Sequence, residues 1–301
     1  LTGYAQGLGD RWTSYMTPEY YQSYRESSAD STVGIGVTVS YLENDDGTHY
    51  LYVNTVATDS PAQKAGIGCY DKITAINGKR IDDFGSYDKA VAAVRGKAGG
   101  VVQLGIHQYA TNQDVTLSVT RAEYEQIHVT SRMLDNQIGY IRIEKFADNT
   151  DEQFDAAVKE IQKQGAASLL FDLRNNPGGQ LTALVNCLDT LLPEGKIISL
   201  KDKAGKTEEY TSDANAVDLP MAVLVNADSY SAAEFFAAAL QEYGKATIVG
   251  EKTVGKGYSQ QGFELSNGGC LNISTHCYYT PKGVSLIGKG VTPDKQADLS
   301  D

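Results

Sequence analysis

The sequence predicts a mixed α/β (α+β) chain of two folded units behind a short helical segment, and three observations carry that prediction. At 301 residues it has room for about two domains with cores of their own. Over 33–120, short alternating apolar runs are separated by Gly, Asn and Asp turn signals, the pattern of a small β-rich unit. From 138 onward, apolar strands alternate with helical stretches, the pattern of a layered α/β core. The expected boundaries are 1–31, 32–121 and 122–301.

In the first segment, Thr17-Pro18-Glu19 reads as a cap followed by proline at the first helical position, so two short helices are expected, packing Trp12, Met16 and several tyrosines. Strands follow over 33–39 and 50–56, with Asn44-Asp45-Asp46-Gly47 turning between them. Ser60-Pro61 opens a short helix that Gly66 stops. A strand over 71–76 enters the Asn77-Gly78 turn, a helix covers 86–94, and strands over 101–108 and 115–120 close the unit.

The second unit opens with a strand over 138–143. Phe154, Ala157, Val158 and Ile161 then share one face of a helix over 151–164. A buried strand over 169–174 leads into Asn175-Asn176-Pro177-Gly178-Gly179 and a helix over 180–192. A hairpin spans 197–211, and two strands flank the Asn267-Gly268 turn.

The stretch 226–261 carries the chemistry. The apolar run 221–225 reads as a buried strand, and Ser231-Ala232-Ala233-Glu234 is a capping box that starts a helix closed by Gly244. Ser231 is then either only an N-cap or a nucleophile whose oxyanion meets the Ala232 amide, because the first amides of a helix lack intrahelical partners. None of the four histidines forms a motif with it. Lys256, between Gly255 and Gly257, offers the base instead. A lysine does this only when burial lowers its pKa well below the usual ~10.4. Gln260, four residues on, orients the amine if this piece is helical. The glycine pair Gly178-Gly179, between strand and helix, is a second source of free amides. Asp172 and Arg174 read as a structural pair.

A formal charge of −12 disfavours nucleic acid and anionic membrane surfaces as partners. The four cysteines show no C-x-x-C spacing, and no His/Cys/Asp/Glu cluster has metal-ligand spacing, so neither metal nor cofactor is expected. No run of 18 apolar residues occurs, and any leader or anchor is expected to lie outside this chain.

Two ordered sets of motifs carry a family resemblance. Ser-Tyr-Ser-Ala-Ala-Glu at 229–234, Gly255-Lys256-Gly257, Gln260-Gln261 and the D-L-R-N-N-P-G-G loop resemble the C-terminal processing peptidases, or tail-specific proteases. S-P-A-x-x-A-G and D-x-I-x-x-I-N-G resemble a PDZ domain over about 32–121. The resemblance implies a PDZ domain joined to a layered crotonase/ClpP-like protease core. It makes Ser231 the nucleophile ahead of the competing Ser229, Lys256 the base, and Gln260 its support. Ala232 and Gly178 become the oxyanion donors, with Gly179 the near alternative. Tyr230 departs from the family, which has a small residue there. In the PDZ unit, Gly34, Ile35 and Gly36 would supply amides for a terminal carboxylate and Val37 the strand beside the peptide. The implied partners are proteins or peptides with apolar C-terminal tails, and the implied location is extracytoplasmic. Two rival readings are a non-catalytic peptide- or ligand-binding protein on the same fold and a crotonase-class acyl-transfer enzyme.

Overall fold

A computed structural model describes residues 2–28 and 31–297. The chain divides into two compact units: Ala29–Ile127, and Leu1–Ser28 together with His128–Asp301.

The first unit is built on a sheet ordered Val37–Glu43, His49–Val56, Lys72–Ile76, Val101–Gln108 and Gln113–Thr120, with Lys79–Arg80 paired to Lys72–Ile76. Leu51 and Val53, like Leu104 and Ile106, alternate inward and are almost fully buried, as the period of two requires, while a register shift between Ile73 and Ala75 lets Ile73 and Ile76 both face the core. The helix Tyr87–Val94 is capped by Ser86, whose hydroxyl accepts from the Lys89 amide. A separate two-stranded ladder pairs Ser31–Gly34 with Ala122–Glu125.

The second unit has a six-stranded sheet in the order Val129–Leu134, Ile138–Ile143, Ser168–Asp172, Met221–Val225, Ala246–Gly250, Lys295–Gln296. Its first pair is antiparallel and the rest run parallel. Helices Thr150–Lys163, Leu181–Asp189 and Ala232–Glu242 supply its cover. Residues 232–240 are all buried, as expected of a helix whose residues there are apolar on every face but for Glu234. Phe236 from that helix meets Phe171 of the sheet at 5.5 Å in an edge-on contact, and Phe154 lies 5.6 Å from Phe171. Burying each such ring contributes about 1.5–3 kcal/mol, so this cluster fixes where the helix, and Ser231 before it, must sit.

A second sheet of the same unit joins Ser14–Met16, Cys270–Tyr279, Gly195–Asp202 and Thr207–Ser212, with Tyr258–Glu264 also paired to Cys270–Tyr279. Thr2–Gly7 and Pro18–Ser28 are helical as predicted, with the Tyr20 amide donating to the Thr17 hydroxyl. The strand between them was not expected: three residues are too short to show a period. The residues after Lys256 form a strand rather than a helix, which removes the shared helical face expected for Lys256 and Gln260. Among the described residues, no helix is long and apolar enough to cross a membrane.

Candidate active site

Ser231 ends the turn between the strand Met221–Val225 and the helix Ala232–Glu242, with φ 60° and ψ −124°. A non-glycine residue in such a conformation stores strain of order 1–3 kcal/mol and persists only where the surroundings over-determine it. Here they do. The Ser231 amide donates to Glu234 Oε2 at 2.9 Å, and the Tyr230 amide donates to the Asn176 carbonyl at 3.1 Å. A serine on a sharp strand-to-helix turn is the usual seat of an exposed nucleophile. Ser229 is otherwise committed: fully buried, its hydroxyl lies 2.8 Å from the Leu173 carbonyl and accepts from the Asn226 amide at 3.0 Å.

Glu234 does more than close a capping box. Its carboxylate is fully buried, and each oxygen takes two donors. Oε2 accepts the amides of Ser231 and Lys256 at 2.9 and 2.8 Å. Oε1 accepts the Gly255 amide at 2.7 Å and the Thr253 hydroxyl at 2.5 Å. Burial pushes its pKa up against the opposing pull of these donors. Thr253 Oγ1 in turn accepts the Val291 amide at 2.7 Å, tying in the Gly288-Lys289-Gly290 loop. One carboxylate therefore fixes the backbone of both Ser231 and Lys256. Sequence reasoning saw Glu234 only as a cap, and its signal for more was the apolar setting of a lone acid.

Lys256 is half-buried, with Nζ 4.8 Å from the Trp12 ring centroid and 5.8 Å from that of Tyr230. Burial holds its pKa below the usual lysine value, although Asp10 and Glu234 favour the ammonium form. Gln260 Nε2 donates to the Tyr258 carbonyl at 3.1 Å and to Ser274 Oγ at 3.2 Å. The Ser274 amide donates to the Thr13 hydroxyl, which donates to Asp10 Oδ2, so Gln260 reaches the surroundings of Lys256 through Ser274, Thr13 and Asp10. Burial alone would raise the Asp10 carboxyl, but bonds from Ser274, Thr13 and Trp12 hold it below its ordinary range.

The D-L-R-N-N-P-G-G loop is braced on both sides. Asp172 is fully buried against Arg174 (2.8 Å), Arg142 (3.4 Å) and the Tyr140 hydroxyl (2.6 Å), which accounts for its structural role. Asn176 donates to the Ile143 carbonyl at 2.7 Å while its Oδ1 accepts the Gly178 amide, also at 2.7 Å. The Gly178 amide is thus engaged within its own loop. Gly178 lies so close to Ser231 that a Cβ there would come within 2.7 Å of the Ser231 Cβ and of the Ala232 nitrogen. Gly179, Ser231 and Ala232 share the rim of a small depression walled by Leu184, Ile198, Phe235 and Tyr278.

In the β-rich unit, Ile35 and Gly36 are buried, and their carbonyls accept the Ala62 and Ala57 amides at 2.7 and 2.9 Å. Gly36 has φ +83°, and a Cβ there would strike the Ser60 side chain. Val37 opens the strand Val37–Glu43, which is the edge of its sheet. Among the described residues, no group of three or more His, Cys, Asp or Glu is placed to hold a metal ion.

A PDZ domain model matches residues 33–120, and a model described as Peptidase family S41 matches residues 137–297. Fold and site together define the class: the chain belongs to peptidase family S41 and carries a PDZ domain. Within that class it stands in the carboxyl-terminal-processing group. It is 33% identical over 293 residues to the carboxyl-terminal-processing protease of Synechocystis sp., covering 96% of this chain and 68% of that one. It is 34% identical over 303 residues to the carboxy-terminal processing protease CtpA of Bacillus subtilis, covering 100% of this chain and 64% of that one. Among solved structures, the photosystem II D1 C-terminal processing protease matches with a TM-score of 0.59 at 30% identity, covering 99% of this chain and 80% of that one.

Proposed function

We propose that the protein is a Ser-Lys endopeptidase that binds protein C-terminal tails in its PDZ domain and cleaves near them through an acyl-enzyme. The observation that carries this reading is the Glu234 carboxylate, which takes the amides of both Ser231 and Lys256. Neutral Lys256 takes the Ser231 proton as Oγ bonds to the scissile carbonyl carbon, whose π electrons move to the oxygen. The amides of Ala232 and Gly179 hold that oxyanion, each worth about 3–4 kcal/mol of barrier. Gly179 is preferred to Gly178 because the Gly178 amide already serves Asn176. Collapse then breaks the C–N bond, and the Lys256 ammonium protonates the leaving amine. The neutral lysine next deprotonates water, whose attack releases the acid and returns the proton to Ser231. Gln260 acts indirectly, by fixing Ser274 beside Asp10.

The depression beside Ser231 is small, so the residue on the acyl side of the cut meets Leu184, Ile198, Phe235 and Tyr278 there only if its side chain is short. With the carbonyls of Ile35 and Gly36 engaged, the amides of Ile35 and Gly36 are the groups left to meet a terminal carboxylate, Gly34 before them ending the ladder with Ala122–Glu125, while Val37 begins the strand that pairs with the tail. Extracytoplasmic substrates follow from the kinship with carboxyl-terminal-processing proteases.

The test is cleavage of an unfolded reporter ending in an apolar free-acid tail. The wild type is expected to cut it and to cut the C-terminally amidated version more slowly. Ser231→Ala and Lys256→Ala are expected to be folded and inactive. Cutting by folded Ser231→Ala would remove the nucleophile from this scheme, and tail binding without cutting by the wild type would favour a binding module.

A further inference from the structure

We propose that Trp12 is a positioning residue of the active site: its indole and the Tyr230 ring form a two-walled seat that holds the Lys256 amine and shields it from bulk water. This rests on the reading of Lys256 as the general base.

The segment that carries Trp12 is far from Lys256 in sequence but is built into the same unit. Ser14–Met16 pairs antiparallel with Cys270–Tyr279, in the register Ser14 to Asn272 and Met16 to Cys270. The Ser274 amide donates to the Thr13 hydroxyl at 3.3 Å, and that hydroxyl donates to Asp10 Oδ2 at 2.6 Å. Asp10 Oδ1 accepts the Trp12 amide at 3.0 Å, closing a tight turn that fixes the direction of the indole. Trp12 and Tyr230 stack with centroids 6.2 Å apart and planes 23° apart, and Lys256 Nζ lies near both rings.

This seat gives Tyr230 a purpose. It is a second aromatic wall whose partner, Trp12, comes from the segment before the PDZ domain. The charged groups around the amine come from two elements. Asp10 lies on the Trp12 turn and Glu234 on the helix after Ser231, and both favour the ammonium. Arg11, whose guanidinium lies 4.6 Å from the indole centroid, is the like charge of the neighbourhood.

The rings act on the amine in two opposed ways. Their faces attract a cation, which favours the ammonium, and their bulk excludes water, which favours the neutral base. Burial is the largest cause lowering the Lys256 pKa, and the two rings are part of what surrounds the amine, so the expected net effect of the indole is downward. Removing the indole admits water, raises the pKa and leaves less neutral lysine at pH 7.

The test is competitive labelling of Lys256 with acetic anhydride across pH, read by mass spectrometry, alongside the pH profile of kcat/KM on the reporter. Trp12→Ala is expected to move both the Lys256 titration and the acid limb of the profile up by about one pH unit. Cleavage near pH 7 then falls about tenfold and recovers as pH rises. Trp12→Phe moves both in the same direction by less. A folded Trp12→Ala with the wild-type Lys256 titration overturns the proposal. If Trp12→Ala does not fold, an unchanged titration in Trp12→Phe does so. Labelling reads the amine whether or not it is the base. Cleavage retained by Lys256→Ala would therefore defeat the base assignment separately, leaving the effect of Trp12 on the titration to stand or fall alone.

Discussion

Glu234 concentrates four donors on one buried carboxylate, so the consequence of changing it can be worked out atom by atom. In Glu234→Gln, one oxygen becomes an NH2 group. If it replaces Oε2, the amides of Ser231 and Lys256 both face a donor. If it replaces Oε1, only the Gly255 amide is stranded, because the Thr253 hydroxyl can turn and accept. The second orientation is therefore favoured, and the expected loss is at least that of one unsatisfied buried donor, about 1–3 kcal/mol, because the NH2 hydrogen facing the Gly255 amide is unpaired as well. Glu234→Ala strands all four and costs more. Denaturant unfolding checks the ranking. The rate at which a fluorophosphonate labels Ser231 reads the site, and it should fall in the same order because the strained Ser231 backbone loses its anchor.

The strand-to-helix loops are where local order meets chemistry. Gly178 has φ +83°, and a methyl group there would press on the backbone nitrogen of Ala232 at 2.7 Å. Gly178→Ala is expected to lose at least about 1–2 kcal/mol from the left-handed backbone alone. Because the clash is with backbone, it also shifts the Ala232 amide and cuts reporter cleavage at least tenfold. Equal unfolding midpoints and equal kcat for wild type and variant would refute this. The same loops show what was legible in the sequence. Periodicity gave the alternating strands and helices of both units, because burial repeats at two or near 3.6 residues. Ser231, Lys256 and the glycine pair stood out because punctuation by glycine and a capping box is local. Asn176, Thr253 and the wider role of Glu234 were not legible: their partners lie 19 to 33 residues away and leave no periodic trace. Gln260 shares a face with Lys256 only if the piece is helical, and the glycines around Lys256 lead into an extended strand instead, so the i, i+4 condition is not met.

On the scale of the whole molecule, the residues before the PDZ domain are part of the peptidase unit. Met16 is buried, and its strand covers Cys270, itself 1% exposed. Removing residues 1–16 is expected to cost at least the burial of Met16, about 1.5–3 kcal/mol. Thermal unfolding of the truncated chain should fall by several degrees, at about 2–4 °C per kcal/mol for a unit of this size. An unchanged midpoint would mean that the segment is only laid on the surface. The PDZ domain itself is entered and left through one short ladder, Ser31–Gly34 against Ala122–Glu125, with Ser31 opposite Glu125. Paired strands hold opposite Cα atoms only about 5 Å apart. The segment between them can accordingly be exchanged for another whose ends lie equally close without stretching the chain at either junction, so the tail recognition and the serine chemistry proposed above are open to change one without the other.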